Sequence, residues 1–378
     1  MPFRFLLKLI LFGIPVGLLV LAPLGVAMYM GEAMPIARVV AMQLGDTPVL
    51  YGPSDRETIF AYKLASIEAR APEVLFVGSS RLLQCRAQLL NRNPRAFYNA
   101  GAEGWTLREI RVLIEQIDAS AMPQIVILGL DQPWFNASFV DWEPPHNLNT
   151  GDIEPQRAFA SARRVLDAVI GGSIQVGALF ERREWVRGGI GLGLNALSYG
   201  RGYRNDGSHQ EGDLLINPAL GELGRSNDLD VVEVGWRQYV EGNRVDQSMI
   251  QAVASFIDMA RERGITVIGV SPPFMPSIYD QMMADGQHNY ISRSTERLAR
   301  VFAQHNFPYF DFSNAAQVGG TDEEMYDGWH PSEKLCLRMY VEILRDQREL
   351  LSEYSDLQAL EALLATADNS LEVFAHAG

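Results

Sequence analysis

The sequence is poor in cysteine and in positive charge. Of its 378 residues, two are cysteines, and 46 aspartates and glutamates outweigh 32 lysines and arginines, giving a formal net charge of −14. Two cysteines cannot build a four-cysteine zinc site or a small fold held by several disulfides. Because a chain with this charge repels polyanions, we predict no nucleic-acid partner.

Recognisable metal and cofactor motifs are also missing. The six histidines, at positions 146, 209, 288, 305, 330 and 376, include no i, i+4 pair of the kind that binds zinc on a helix. The acidic run 322–324 lacks the alternating ligand spacing of a calcium loop. The glycine-rich segment 191–196 follows no predicted strand, unlike a dinucleotide-binding turn. We therefore predict neither a metal nor a cofactor.

One long uncharged run is present, at the amino terminus. The 23 residues from Leu9 to Gly31 carry no charge, and at about 1.5 Å per residue such a helix crosses a hydrocarbon core of about 30 Å. Arg4 and Lys8 precede the run and Glu32 follows it. The positive-inside rule therefore predicts a single-pass inner-membrane anchor in residues 1–31 and an extracytoplasmic, periplasmic body. A cleaved signal peptide is the alternative, although its apolar core usually has only about 7 to 15 residues.

The rest of the chain alternates between strand and helix patterns. Residues 32–72 are rich in proline, and we predict a linker with one short helix there. Within residues 73–350, apolar runs such as 73–78 and 124–130 alternate with amphipathic segments such as 247–263. This alternation predicts an α/β domain whose parallel sheet is covered on both faces.

The alternation breaks between residues 131 and 245. That stretch is rich in glycine, proline and tryptophan and shows no clear sheet periodicity, so we predict one long insertion. Insertions at the carboxyl ends of parallel strands commonly shape a binding site. Residues 351–378 are predicted to form an amphipathic helix and a frayed tail.

A serine motif follows the first predicted strand of this domain. The sequence Val77-Gly78-Ser79-Ser80-Arg81 stands where that strand meets a helix predicted over residues 81–91. A serine at such a junction can present its hydroxyl to a substrate while its own N–H faces developing negative charge. Helix capping is the alternative role for the serine.

A second motif, Asp327-Gly328-Trp329-His330, lies between the last predicted strand and the last predicted helix of the domain. A carboxylate three residues before a histidine can hold the imidazole in one tautomer and stabilise its charged form. We predict Ser80 as nucleophile, His330 as base and Asp327 as the acid that orients it. Ser79 is an alternative nucleophile, and turn formation and packing are the alternative roles of the aspartate and the histidine.

Together these motifs resemble those of the SGNH hydrolase superfamily, also called GDSL-type esterases. Gly78-Ser79-Ser80 stands where that family has Gly-Asp-Ser, Asp327 and His330 match its closing Asp-x-x-His block, and Asn99-Ala100-Gly101 is similar to its second block. The resemblance covers residues 73–130 and 246–350. It implies a flavodoxin-like three-layer α/β/α sandwich in which the N–H groups of Ser80 and Gly101 stabilise an oxyanion.

The third block of the family departs from this pattern. Where most members have Gly-x-Asn-Asp, this chain has Gly129-Leu130-Asp131-Gln132. A carboxylate opposes an oxyanion unless it is protonated or turned away, so Gln132 and Asn136 are alternative donors. The candidate substrate contacts are Arg81, Asp131, Gln132, Asn136, Arg204 and Trp329.

An anchored, exported body with these motifs is similar to the branch of the family that adds or removes acyl groups on cell-surface polymers, such as the alginate acetylation proteins and the D-alanyl transfer protein of teichoic acid synthesis. The resemblance implies a serine esterase or O-acyltransferase acting on acylated cell-surface polysaccharide, with a membrane-bound acyl donor protein as a further partner. A catalytically silent glycan-binding or scaffolding protein of the same fold is the alternative, and Asp131 favours it.

The two cysteines are placed alike relative to the two motifs. Cys85 lies five residues after Ser80, and Cys336 lies six residues after His330. If both motifs open neighbouring helices, the two sulfur atoms lie at similar heights, so we predict a disulfide formed in an oxidising compartment. Two buried free thiols are the alternative.

Overall fold

A computed structural model describes residues 2–139, 146–148, 150, 155–172, 189–235 and 237–374. The chain divides into two compact units. The first comprises Met1–Ala65, Asn149–Asn205 and Gln210–Gly212, and the second comprises Ser66–Leu148, Asp206–His209 and Asp213–Gly378.

The helices in the described part of the chain are α1 (Pro2–Tyr29), α2 (Ile36–Gln43), α3 (Ile59–Arg70), α4 (Leu107–Gln116), α5 (Pro155–Ile170), α6 (Leu194–Tyr199), α7 (Gly212–Ile216), α8 (Ala219–Glu233), α9 (Gln247–Glu262), α10 (Pro276–Ala284), α11 (Tyr290–Gln304), α12 (Glu333–Asp346), α13 (Arg348–Leu351) and α14 (Leu357–Thr366). The strands are β1 (Val49–Tyr51), β2 (Val74–Val77), β3 (Phe97–Asn99), β4 (Ile125–Gly129), β5 (Ile190–Leu192), β6 (Arg201–Tyr203), β7 (His209–Glu211), β8 (Thr266–Ser271) and β9 (Tyr309–Asp311).

The first unit is built around a small mixed sheet. Its strand order is β5-β1-β6-β7, with β1 parallel to β5 and antiparallel to β6. Beside the sheet, α1 packs along α5 through small and apolar residues that include Ala27, Ala162 and Val165. These contacts give the first unit a core of its own.

Residues 32–72 differ from the predicted linker. They contain α2, β1 and α3, and all three residues of β1 are buried. The predicted insertion, residues 131–245, is likewise divided, since α5, β5, α6 and β6 belong to the first unit and α8 to the second. A three-residue strand that pairs with another strand more than 100 residues away leaves no periodicity for a sequence pattern to detect.

The amino-terminal anchor stays a prediction. Residues Pro2–Tyr29 form one helix, but the side chains of residues 2–10, 16 and 18–20 lie outside the described set. Among the residues that are described, no helix has both the length and the apolar character needed to cross a membrane.

A five-stranded parallel sheet forms the centre of the second unit. Its strand order is β3-β2-β4-β8-β9, and each neighbouring pair is parallel. Numbered along the chain within this sheet, the order is 2-1-3-4-5, which is that of flavodoxin-like folds. The prediction of an α/β fold with a parallel sheet is confirmed.

Helices cover this sheet on both faces. On one face, Phe76 and Ile127 pack with residues of α12 that include Val341. On the other, a Cβ added to Gly269 would lie 2.4 Å from the ring of Phe302 on α11, so the glycine allows that helix to approach the sheet closely. The central strands are apolar at successive positions because both of their faces are buried.

The strand order changes direction beside β2, and this point positions the site. β3 lies on one side of β2 and β4 on the other, and ligands of open α/β sheets bind at the carboxyl ends of such strands. β2 leads into Ser79 and Ser80, and β4 leads into Leu130 and Asp131. The serine motif and the third family block are therefore neighbours at one end of the sheet.

The segment after Ser80 differs from the helix predicted over residues 81–91. It contains two short 3-10 turns, Ser80–Leu82 and Ala87–Leu89. The Asn99 side-chain amide donates to the carbonyl oxygens of Leu82 at 2.7 Å and Cys85 at 2.9 Å. These bonds satisfy backbone groups that a helix would otherwise have to pair.

Candidate active site

Ser80, His330 and Asp327 form one chain of hydrogen bonds. Ser80 Oγ lies 2.9 Å from His330 Nε2, and His330 Nδ1 lies 2.7 Å from Asp327 Oδ2. A carboxylate that accepts the proton of Nδ1 leaves Nε2 as the acceptor for the serine hydroxyl. The three residues thus have the connectivity of a nucleophile, a base and an orienting acid.

The Asp327 carboxylate is held in its charged form. Burial by itself raises its pKa, but His330 and the hydrogen bonds around the carboxylate outweigh burial and hold the pKa of Asp327 below its ordinary value. Those bonds include donation from the backbone N–H of Trp329 at 2.8 Å and of His330 at 2.7 Å, both to Oδ1. The charge that orients the imidazole is therefore present at neutral pH.

The two serines of the motif have different partners. Ser79 is buried, and its Oγ accepts a hydrogen bond from the Arg81 N–H at 3.2 Å, which caps the 3-10 turn. Ser80 is partly exposed and contacts His330. Capping thus belongs to Ser79, and the geometry of a nucleophile belongs to Ser80.

Arg81 connects the serine loop to the histidine loop. Its side chain is completely buried, and Nε donates to the carbonyl oxygen of Trp329 at 3.2 Å. Nη1 donates to Gln132 Oε1 at 2.6 Å, and Nη2 donates to the carbonyl oxygen of Pro272 at 2.9 Å. All three side-chain nitrogens of Arg81 donate hydrogen bonds within the protein. Arg81 therefore supports the loops of the site, whereas the sequence predicted that it contacts the substrate.

Aromatic rings enclose the same guanidinium. Its carbon lies 3.8 Å from the ring centre of Trp329 and 4.7 Å from that of Phe274, distances at which a cation is attracted to an aromatic ring. Trp329, a candidate substrate contact, is partly buried, and its ring also packs edge-on against Phe274 with centroids 5.3 Å apart. This tryptophan therefore helps to hold Arg81.

Asp131 is a buried carboxyl beside Arg81. Its Oδ1 lies 3.8 Å from Arg81 Nη1 and has no hydrogen bond within the described part of the chain. Burial raises the pKa of Asp131, and the nearby Arg81, Ser79 and His330 only partly offset that effect. Burial also lowers the pKa of Arg81 to about 10, so the guanidinium keeps its charge at neutral pH. Asp131 thus stands beside a guanidinium cation.

Gln132 and Asn136 were the alternative oxyanion donors, and the structure places both side-chain amides elsewhere. Gln132 Nε2 donates to the Pro272 carbonyl oxygen at 2.7 Å and to Ser313 Oγ at 2.8 Å. Asn136 Nδ2 donates to the Val240 carbonyl oxygen at 2.9 Å. Both side chains are buried, so their amides hold loops together and do not face a substrate.

The second family block also has a local partner. The Gly101 N–H, predicted to stabilise an oxyanion, donates to Asn99 Oδ1 at 2.9 Å. A Cβ added to Gly101 would lie 3.2 Å from the Ser79 carbonyl oxygen, so this backbone passes close to the serine loop. The Gly101 N–H therefore lies close to the serine loop, as the resemblance implies, but it already donates a hydrogen bond within the protein.

Arg204 was the remaining candidate substrate contact. It belongs to the first unit, whereas the residues of the triad and those that surround Arg81 all belong to the second.

A disulfide joins the segments that follow the two motifs. Cys85 and Cys336 are bonded, with Cα atoms 5.5 Å apart, and both are buried. Next to the bond, Arg86 forms ion pairs with Glu333 at 2.7 Å and with Asp206 at 3.1 Å. The serine loop and α12 are therefore held together covalently and by charge.

Sequence reasoning missed Asp228 and Tyr239. Asp228 Oδ2 accepts hydrogen bonds from the Gly328 N–H at 2.9 Å and from the Tyr239 hydroxyl at 3.0 Å. Both residues lie in the predicted insertion and belong to no recognisable motif. No signal in a single sequence marks a contact between residues 100 positions apart.

The second unit thus has a parallel-sheet α/β fold in which Ser80, His330 and Asp327 form one hydrogen-bonded chain. No protein-family model and no curated protein matches the sequence. Among solved structures, a protein from Bacteroides fragilis provisionally named an acylhydrolase aligns with a TM-score of 0.36 and 13% identity over 79% of this chain and 99% of its own. A GDSL-like lipase from Bacteroides thetaiotaomicron aligns with a TM-score of 0.33 and 11% identity over 78% and 98%.

Proposed function

We propose that this protein is a serine ester hydrolase or O-acyltransferase. The observation that carries the proposal is the uninterrupted hydrogen-bonded chain from Ser80 through His330 to Asp327. A partly exposed hydroxyl bonded to an oriented imidazole is the arrangement that acyl transfer requires.

The reaction would take place in two steps. His330 Nε2 accepts the proton of Ser80 as Oγ attacks the ester carbonyl carbon, and the protonated imidazole then gives that proton to the leaving alcohol. The product is an acyl ester on Ser80. Water or a sugar hydroxyl, deprotonated in turn by His330, attacks the carbonyl carbon of this ester, and the protonated imidazole returns the proton to Ser80 Oγ as the bond from Oγ to the acyl group breaks. Hydrolysis and transfer differ only in this second acceptor.

We further propose that the protein acts outside the cytoplasm and next to the inner membrane. The uncharged run from Leu9 to Gly31 supports an anchor, and the Cys85–Cys336 disulfide suits an oxidising compartment. A tether of this kind restricts the enzyme to substrates near the bilayer. Acylated cell-surface polysaccharide and a membrane-bound acyl donor protein are the substrate and the partner that fit this location.

Hydrolysis of p-nitrophenyl acetate tests the proposal. We expect turnover by the wild type, and Ser80→Ala and His330→Ala should each reduce kcat by at least about 10⁴-fold. Ser79→Ala is the matched control, because it removes the neighbouring hydroxyl, which accepts a hydrogen bond from the Arg81 N–H. Mass spectrometry of an added oligosaccharide then separates transfer, which attaches an acetyl group to the sugar, from hydrolysis, which releases acetate.

A catalytically silent glycan-binding protein is the second candidate. It is favoured by Asp131, which replaces an amide donor with a carboxyl, and by the engagement of the Gly101 N–H with Asn99. The loss of one oxyanion donor typically costs about 100-fold in rate or more. A folded wild type that neither turns over the ester nor transfers its acyl group would support this candidate.

A further inference from the structure

One helix of the predicted insertion packs directly against the loop that carries the catalytic acid and base. A Cβ added to Gly224 of α8 would lie 3.3 Å from Asp327 Cβ, and one added to Gly221 would lie 3.4 Å from the Tyr326 carbonyl oxygen. The two glycines are three residues apart, so they lie on the same face of the helix. Their small size brings the helix backbone close to the loop.

Polar contacts continue along this face of α8. Arg225 Nη1 donates to the Met325 carbonyl oxygen at 2.9 Å. One turn further on, Asp228 Oδ2 accepts the hydrogen bond from the Gly328 N–H at 2.9 Å. The helix therefore contacts backbone groups on both sides of Asp327.

Gly328 fits closely between Asp228 and its neighbours. A Cβ added there would lie 2.8 Å from Asp228 Cβ, 2.6 Å from the Tyr239 hydroxyl oxygen and 2.1 Å from Ile278 Cδ1. A larger residue would displace the loop, and with it Asp327 and His330. The position of this loop is thus determined by side chains outside the triad.

We propose that Asp228 is a positioning residue for the triad, which acts by accepting the Gly328 N–H and so fixes the loop that carries Asp327 and His330. The inference rests on the proposed function. Since α8 belongs to the predicted insertion and not to the alternating strands and helices of the sheet, the inference means that the insertion helps to position the reacting side chains.

The surroundings of Asp228 fit this role. The Tyr239 hydroxyl donates to the same carboxylate oxygen at 3.0 Å, which holds the side chain in place. Burial, together with the nearby charge of Asp327, raises the pKa of Asp228. Burial and the charge of Asp327 make the ionised form of this carboxyl less favourable, and the two hydrogen bonds that it accepts offset part of that cost.

The test compares Asp228→Ala, Asp228→Asn and the control Asp230→Asn, which changes an exposed carboxyl on the same helix. The readout is labelling by a fluorophosphonate probe, with the maximal rate separated from the probe concentration at half-saturation. We expect Asp228→Ala to lower the maximal rate by about 10- to 100-fold with little change in half-saturation, because the reacting groups are misplaced. Asp228→Asn should stay within about threefold of wild type, since its amide oxygen still accepts the Gly328 N–H.

A folded Asp228→Ala variant that labels at the wild-type rate would overturn the proposal, and so would an Asp228→Asn variant as slow as Asp228→Ala. Should Asp228→Ala fail to fold, Asp228→Leu takes its place, because a leucine side chain is similar in size to aspartate but cannot accept a hydrogen bond. A wild type that does not react with the probe overturns the proposed function itself and this inference with it. If the wild type and the Asp228→Ala variant are labelled at the same high rate, the inference is overturned and the proposed function is not.

Discussion

Asp327 decides which nitrogen of His330 carries a proton. Its carboxylate accepts the Nδ1–H at 2.7 Å, and its pKa is held below the ordinary value. Asp327→Asn would remove the charge and allow the wrong tautomer, so we expect kcat to fall by about 10³- to 10⁴-fold. Steady-state hydrolysis of p-nitrophenyl acetate measures this effect, and a loss of less than tenfold would contradict the assigned role.

The pH dependence of the wild type follows from the same charges. Because Asp327 stays ionised as the pH falls below neutral, the acid limb of the kcat/KM profile should report protonation of His330. Activity is then high when the imidazole is neutral and falls as the pH decreases, since a protonated Nε2 cannot accept the proton of Ser80. A profile of kcat/KM against pH measures this, and activity that rises as the imidazole becomes protonated would contradict the account.

Arg81 is expected to matter for stability. Its buried guanidinium donates hydrogen bonds to the Trp329 carbonyl oxygen and to Gln132 Oε1, and it lies beside the buried Asp131. Arg81→Ala leaves that carboxyl without its cation, and breaking a buried pair in this way typically costs about 3–5 kcal/mol in the free energy of unfolding. Urea unfolding measures the loss.

Arg300→Ala is the matched control, because Arg300 is exposed and pairs with the equally exposed Glu296. Removing an exposed pair should change the free energy of unfolding by about 1 kcal/mol or less. Equal effects of the two substitutions would show that burial of Arg81 contributes nothing.

That Ser80, His330 and Asp327 lie together could be predicted from the sequence, but the residues that surround them could not. Ser80 and His330 occur in short motifs at the ends of predicted elements, where backbone topology brings them together. Asp228 accepts a hydrogen bond from one backbone N–H of a loop that is distant in the sequence. Gln132 was predicted as an oxyanion donor, but its side chain is buried and accepts a hydrogen bond from Arg81. Such contacts depend on side-chain packing, which local patterns do not encode.

At the level of elements, the disulfide between the serine loop and α12 should stabilise the second unit. It joins residues 251 positions apart, and by the chain-entropy estimate a loop of this length contributes about 5–6 kcal/mol to the free energy of unfolding. Cys85→Ser combined with Cys336→Ser should lower stability by that amount in urea unfolding. Alkylation of both cysteines in the native, unreduced protein would contradict the bond itself.

Sheet strands were predicted better than the elements around them. β2, β4 and β8 are apolar runs buried on both faces, and they appear in the sequence as continuous hydrophobic segments. The strands β1 and β5 have three residues each, which is too short for a period to show. The helix predicted over residues 81–91 is replaced by 3-10 turns, because the Asn99 side chain donates hydrogen bonds to backbone carbonyl groups of that segment.

For the whole molecule, the uncharged amino-terminal run predicts stable membrane association. In fractionated cells we expect the full-length protein to remain with membranes after washes with high salt and with alkaline carbonate, and to be released by detergent. Such resistance follows because burial of apolar surface is insensitive to the charges that these washes disrupt. Release by salt alone would contradict an anchor in residues 1–31.

The central claim is that Ser80 is a nucleophile activated by His330, and peptide mass spectrometry of the protein treated with a fluorophosphonate probe tests it most directly. We predict one adduct per chain on Ser80 of the wild type, none on Ser79, and none in His330→Ala. An adduct located on another residue, or a folded wild type that carries no adduct, would contradict the claim.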